Sequence, residues 1–315
     1  MRASDKKQMM KNDGKRRRMA PSPFVIGLRR AMFRHSSFVI AGALLLWGCD
    51  VKDPVYETDH PEEAKITVTA DWNGIGQGLT KPAGFKVAYG DEVLTATADK
   101  YTFPNLLAPG SYTVYFYNDA AEITVTGKTA TVKTVAAGQL EPMPDWLFTG
   151  KLTATVEKDK RHEFTVQMAQ QVRRLTLVIE PAGTTAERIK TITGTLSGVA
   201  GSYDMESGAH GSASSVALEF TKITTGTDAG KWTATVCLLG VTGSEQKLSG
   251  TIKFADGTPG DMPLESDLTA VLSNFNADKK TPLQLGGVVA ESPDPAGFTA
   301  TIKDWTKVSG SGTAN

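Results

Sequence analysis

The 315-residue sequence is poor in the side chains from which catalytic and metal sites are built, with two cysteines and four histidines. After residue 48 only His60, His162 and His210 remain, far apart and without a partner at ligand spacing, which argues against a catalytic zinc site. Two cysteines, Cys49 and Cys237, give no disulfide framework. Cys237 lies in Trp232-Thr-Ala-Thr-Val-Cys-Leu-Leu, a strand-like apolar context that suits a buried, inert thiol. No glycine loop is followed by Lys-Ser/Thr at phosphate-cradling spacing. His210-Gly211-Ser212 places a hydroxyl near an imidazole but has no nucleophile elbow around it. Asp204 and Glu206, in Tyr-Asp-Met-Glu-Ser-Gly, read as solvated carboxylates of a hairpin turn rather than calcium ligands or an acid/base pair. These absences point away from an enzyme and imply no cofactor.

A membrane-spanning run is also missing. The apolar stretch Phe38 to Gly48 (FVIAGALLLWG) has eleven residues, against roughly 20 needed to cross about 30 Å of hydrocarbon. Its flanks give it another meaning. Arg29, Arg30 and Arg34 precede it, and Leu46-Trp47-Gly48-Cys49 follows as a lipobox, so residues 1–48 read as a bacterial lipoprotein signal peptide that is removed. Cys49 is then the lipidation site, the carrier of palmitate and a covalent membrane anchor. Gly48 is the small residue expected before the cysteine, whereas Trp47 is bulkier than usual there. The basic leader, including Lys15-Arg16-Arg17-Arg18, is either an extended n-region or sequence upstream of a start at Met19 or Met32 rather than Met1.

Removal of the signal changes the charge. Residues 1–48 carry eleven of the 34 Lys and Arg and two of the 34 Asp and Glu, leaving 23 basic and 32 acidic side chains, net −9. An acidic chain is a poor partner for nucleic acid or an anionic lipid surface. Attachment to a membrane would rest on lipid.

The remaining 267 residues read as all-β, with an acidic linker at 49–61 and a flexible tail at 309–315. From Ala64 to Trp72 the alternation is strict: Ile66, Val68, Ala70 and Trp72 on one face, Lys65, Thr67, Thr69 and Asp71 on the other. Short runs of the same kind follow at 85–89, 93–98, 112–117, 123–126 and 130–135, with turn residues between them, and the spacing suits a β-sandwich over 62–140. In the aromatic strand after Pro109-Gly110, Tyr112, Val114 and Phe116 share one face and Tyr115 and Tyr117 the other, which predicts a strand between a core and a second packed surface. Gly138-Gln-Leu-Glu-Pro-Met-Pro-Asp145 interrupts the pattern and marks a boundary. A second sandwich is expected over 146–308, from strands at 152–156, 164–168, 175–179, 189–196, 216–220, 232–238, 248–254, 283–289 and 298–305. One helix is expected over Ser266–Asn276, where Leu268, Val271, Leu272 and Phe275 have helical spacing behind a Ser266 or Asp267 N-cap. Ser207–Ser215, rich in Gly and Ser, reads as a mobile loop.

Several segments together resemble a known family: Cys-Asp-Val-Lys-Asp-Pro after the lipobox, a first strand ending in Asp71-Trp72, Leu-Ala-Pro-Gly-Ser-Tyr-Thr-Val and Phe-Tyr-Asn118. Leu196-Ser-Gly-Val-Ala200, Ala255-Asp-Gly-Thr-Pro259, the Ser266-Asp-Leu segment and Phe298-Thr-Ala-Thr-Ile-Lys-Asp-Trp305 extend the likeness over nearly the whole mature chain. The ordered set is similar to FimB-type fimbrial anchor subunits, with the minor-fimbrium anchors, of type V fimbriae. The resemblance implies two transthyretin-like Greek-key β-sandwich domains, an outer-membrane lipid anchor, and a place at the base of a fimbrium. It also implies contact with stalk or accessory subunits by β-strand addition. Polymerising subunits of that family lose their first strand after cleavage at an arginine, and an anchor keeps it. Positions 50 to 160 contain no arginine, the first being Arg161, which suits an anchor. The end of the chain fits less well: Thr306–Asn315 is a poor donor strand, so either Phe298–Val308 is the donor or the partner is met differently. The alternative function is a glycan-binding surface lipoprotein, with Trp72, Tyr115 or Trp146 stacking on sugar rings.

Overall fold

The computed structural model describes residues 62–135, 138–182, 186–257, 260–294 and 297–308. Cys49, the signal segment, the linker at 49–61 with His60, and the tail at 309–315 lie outside the described residues. Among those described, the protein is all-β, with one four-residue α-helix and a 3-10 turn at Ala186–Arg188. No helix among them is long and apolar enough to cross a membrane.

The strands in chain order are β1 (Lys65–Asp71), β2 (Phe85–Tyr89), β3 (Glu92–Ala96), β4 (Lys100–Thr102), β5 (Gly110–Tyr117), β6 (Ile123–Thr126), β7 (Thr129–Val132), β8 (Phe148–Val156) and β9 (Arg161–Gln167). They continue with β10 (Ala169–Gln170), β11 (Arg173–Glu180), β12 (Ile189–Asp204), β13 (His210–Lys222), β14 (Trp232–Leu238), β15 (Lys247–Phe254) and β16 (Met262–Asp267). After α1 (Thr269–Leu272) come β17 (Leu283–Asp294) and β18 (Gly297–Lys307).

Two small sheets, β4-β1-β9 and β10-β8-β5-β2-β3, share one hydrophobic cluster. Its members alternate along their strands, as Ile66 and Val68 of β1 do, because successive strand residues face opposite ways. On β5, Val114 and Phe116 enter this cluster while Tyr117 is buried in the second one and Tyr115 packs against it. The strand is thus sandwiched between two packed surfaces, as its two-sided aromatics predict.

The third sheet has the order β13-β14-β11-β17-β18-β16-β15-β12-β7-β6, and β12 also pairs with β13. That extra pairing closes eight strands, β11 to β18, into a ring around the larger cluster, with β7 and β6 added to the far end of β12. The expected second sandwich is therefore replaced by a closed, barrel-like sheet. Closure depends on the length of β12 and β13, 16 and 13 residues, of which the apolar pattern marked only the inner parts. The Gly/Ser stretch expected to be a mobile loop is largely strand: Ser202 pairs with Gly211, Ala200 with Ala213 and Val199 with Ser214. Small polar residues are accepted there because the ladder satisfies their backbone groups regardless of side chain. The ladder shifts register between Ser197 and Val199. Gly198 sits there at φ +70°, where a Cβ would lie 2.1 Å from the Glu245 carbonyl oxygen, so only glycine fits the bulge.

The helix is also shorter than its apolar spacing suggests. β16 takes Ser266 and Asp267 into its ladder with β15, leaving Thr269–Leu272 as helix. Asp267 still serves its start, its Oδ1 accepting the Thr269 N–H at 2.8 Å. Leu268, Leu272 and Phe275 are fully buried in the larger cluster. The proline segment does not divide the strands into an earlier and a later sheet. β6 and β7 join the large sheet before it, and β8 to β10 return to the small sheets after it.

Candidate functional site

The first strand lies between β4 and β9. On one side it is antiparallel to β4, with Val68 opposite Tyr101; on the other it runs parallel to β9 from Lys65↔Arg161 to Asp71↔Gln167. Bonds beyond the ladder fix both ends. Ala64 and Leu107 exchange N–H···O bonds at 2.8 and 2.9 Å, the Phe103 N–H donates to the Ile66 carbonyl at 3.0 Å, and the Met168 N–H to the Asp71 carbonyl at 2.8 Å. Ala64, Ile66, Val68 and Ala70 are buried together with Phe103, Leu107, Val166 and Met168. Lys65 and Thr69 face solvent.

Past the strand, Trp72 packs edge-on against Phe85 and Phe148 at 6.0 and 5.9 Å, and its Nε1–H donates to Asp99 Oδ1 at 3.0 Å. Asp99 is held below the usual carboxylate range, chiefly by Lys81 at 2.6 Å. The strand nearest to Cys49 is thus bonded on both edges and covered on its inner face. Arg161, the first arginine after Cys49, opens β9 and pairs with Lys65. A cut there would separate β9 from β8 without freeing β1.

The other residues singled out in the sequence take structural positions. Tyr115 donates its hydroxyl to Glu206, which also receives Lys151 Nζ at 2.6 Å. Lys151 is the largest cause that draws the Glu206 carboxyl down to about 2, and burial with the Glu206 bond pushes the Tyr115 phenol up to about 12. Asp204 accepts the Ser207 N–H and hydroxyl, both at 2.7 Å, the turn expected of it. Trp146 is partly buried against both clusters with the Arg174 guanidinium 5.8 Å from its ring. Trp72, Tyr115 and Trp146 therefore form no open stacking platform.

His162 stacks on Phe164 at 5.7 Å and accepts the Glu157 N–H at 3.0 Å. Cys237 is free and buried, and burial pushes its thiol up. No group of three His, Cys, Asp or Glu residues is placed to hold a metal ion among the described residues. Phe298–Lys307 lies within β18, paired with β17 on one side and β16 on the other, and Trp305 Nε1–H donates to Ser266 Oγ at 2.7 Å. One cluster had no signal in the sequence: His210 and Lys279, 69 residues apart, meet at 2.7 Å between Nζ and Nε2.

Residues 85–310 match the family model of fimbrillin-A associated anchor proteins Mfa1 and Mfa2. Two candidate adhesins from Bacteroides ovatus have similar structures. One has a TM-score of 0.55 and 16% identity, covering 76% of this chain and 93% of its own; the other has 0.54 and 10%, covering 79% and 96%. The fimbrial anchor protein Mfa2 from Porphyromonas gingivalis aligns with a TM-score of 0.50 and 14% identity, over 76% of this chain and 95% of its own. At such identities the likeness is one of fold. A comparison with curated protein sequences returns no match.

Proposed function

The chain belongs to the Mfa2 family of fimbrillin-A associated anchor proteins, and on that premise we propose that it is a lipid-anchored protein tethering a fimbrium to the outer membrane as its base subunit. Lipid on Cys49 holds the chain in the membrane, and the acidic linker at 49–61 carries it to the first strand. The observation that supports this reading is the retention of β1, seated between β4 and β9 behind a segment with no arginine from 50 to 160. A subunit that surrendered this strand would lose its own membrane attachment.

The partner subunit is met by strand addition, in which main-chain hydrogen bonds supply affinity and alternate side chains fill pockets. β18 is a costly donor, since leaving the ring would expose Ala300, Ile302 and Trp305. Among the strands at sheet ends, β3 and β6 are the better-placed acceptors. Deleting the gene tests the function: fimbriae should be shed into the medium, and fimbriae that remain firmly attached would refute the role. Cys49→Ser tests the anchor separately, with the protein expected to leave the membrane fraction and intact mass expected to lack acyl chains.

A further inference from the structure

The segment after α1, residues 273–282, is pinned along its length. Asn276 brackets Val241, its Oδ1 accepting the Val241 N–H at 2.9 Å and its Nδ2 donating to the Val241 carbonyl at 2.8 Å. The nearly buried Arg173 donates to the Phe275 and Thr281 carbonyls at 2.9 and 2.7 Å. Gln170 Nε2 donates to the Lys279 carbonyl at 2.7 Å. With its backbone fixed, Lys279 directs its ammonium onto His210 Nε2 (2.7 Å), the Leu239 carbonyl (3.0 Å) and Gln171 Oε1 (3.3 Å), above the Tyr203 ring. The imidazole packs closely on the Gly240 backbone: a Cβ there would lie 2.3 Å from its Cδ2.

What this arrangement lacks is a negative charge. Neither Lys279 nor its neighbour Lys280 forms an ion pair among the described residues. The one carboxylate in the cleft, Asp278, accepts the backbone N–H groups of Lys280 and Thr281 and lies 3.9 Å from Arg173. Burial pulls Lys279 down to about 7, and burial together with Lys279 holds His210 at about 4, so the imidazole is a neutral acceptor. A desolvated cation without a counter-ion is costly.

We infer that this cleft, of about 340 Å³ between β10, the β12–β13 hairpin and residues 273–282, binds a small oxyanion, a carboxylate or phosphate group, that supplies the missing counter-charge to Lys279. The anion replaces Gln171 Oε1, the longest of the three contacts. Lys280, held by a single 3.3 Å bond to the Asn73 carbonyl, turns in as the second cation. Binding restores Lys279 toward its ordinary protonation, so near neutral pH it draws in protons. The inference does not depend on the anchor role.

Isothermal titration of the full chain tests it, with D-glucuronate and with inorganic phosphate at constant chloride-based ionic strength, at pH 7 in two buffers of different ionisation heat. Saturable binding of either probe, with a buffer-dependent heat that reports proton uptake, is the expected result. The tighter of the two identifies the source as carboxylate or phosphate. Lys279→Met should weaken binding at least about tenfold and Lys280→Gln about threefold, the latter with an unchanged Tm. Should Lys279→Met fail to fold, Lys280→Gln and the proton uptake carry the test. Absence of binding by both probes, binding undiminished in Lys280→Gln, or a heat independent of buffer overturns the site.

Discussion

Removing residues 62–70 takes away β1 up to Ala70 and leaves Trp72 in place as a reporter. Burial of Ile66 and Val68 contributes about 1.5–3 kcal/mol each and the two alanine methyls about 0.8 kcal/mol each, or roughly 5–8 kcal/mol in all. That is comparable to the whole stability of an ordinary domain, about 5–15 kcal/mol. The ladders to β4 and β9 go with it, so the small-sheet cluster should open while the ring of β11 to β18 persists. Hydrogen exchange read by mass spectrometry resolves the two. Amides of β4 and β9, whose partners are removed, should exchange at rates near those of an unfolded chain, and β11 and β14 should keep their protection. A synthetic peptide of residues 62–72, added in trans, should restore protection in β4 and β9. Unchanged protection of β9 in the deleted chain would show that β1 is not what holds this sheet, and the anchor-strand argument would fall with it.

Gly198→Ala should lower stability by more than about 1 kcal/mol, through positive φ and the Glu245 carbonyl, read as a fall in urea midpoint with unchanged m-value. Trp305→Phe removes the donor to Ser266 and should cost about 1 kcal/mol by the same measurement. Because the folded pKa of Glu206, about 2, lies below its ordinary 4.5, its contribution is present above pH 4.5 and lost as pH falls towards 2; Glu206→Gln should flatten that part of the stability profile. The folded pKa of His210, about 4 against 6.5, means the fold holds it neutral, so stability should fall between pH 6.5 and 4, and His210→Asn should remove that fall.

Most of the strands were legible because one buried face imposes a period of two, and β2, β6 and β14 occupy the residues their patterns marked. The same signal missed β4 and β10, which have three and two residues, too few to show a period. It missed β16 for another reason: Ser266 and Asp267 have both helix-capping chemistry and a place in a strand, and the ladder with β15 decides between them. Ring closure was invisible because it uses Gly and Ser residues whose contribution is backbone pairing, which composition does not record. The expectation of no catalytic site was read from scarcity of His and Cys, whereas the Lys279–His210 pair depends on how residues 273–282 are pinned across the fold.

The parallel pairing of β1 with β9 joins Lys65 to Arg161 across 96 positions of sequence. Contacts of such long range are slow to form, since the intervening chain must be ordered before they reward its loss of entropy. A chain that emerges from its N-terminus presents β1 well before β9 exists to receive it, with Ile66 and Val68 uncovered in the interval. The strand adjoining the proposed lipid anchor thus passes through an unpaired state on every round of synthesis. Its capture by β9 sets a kinetic race against aggregation or an intruding strand, which the native contacts alone do not reveal.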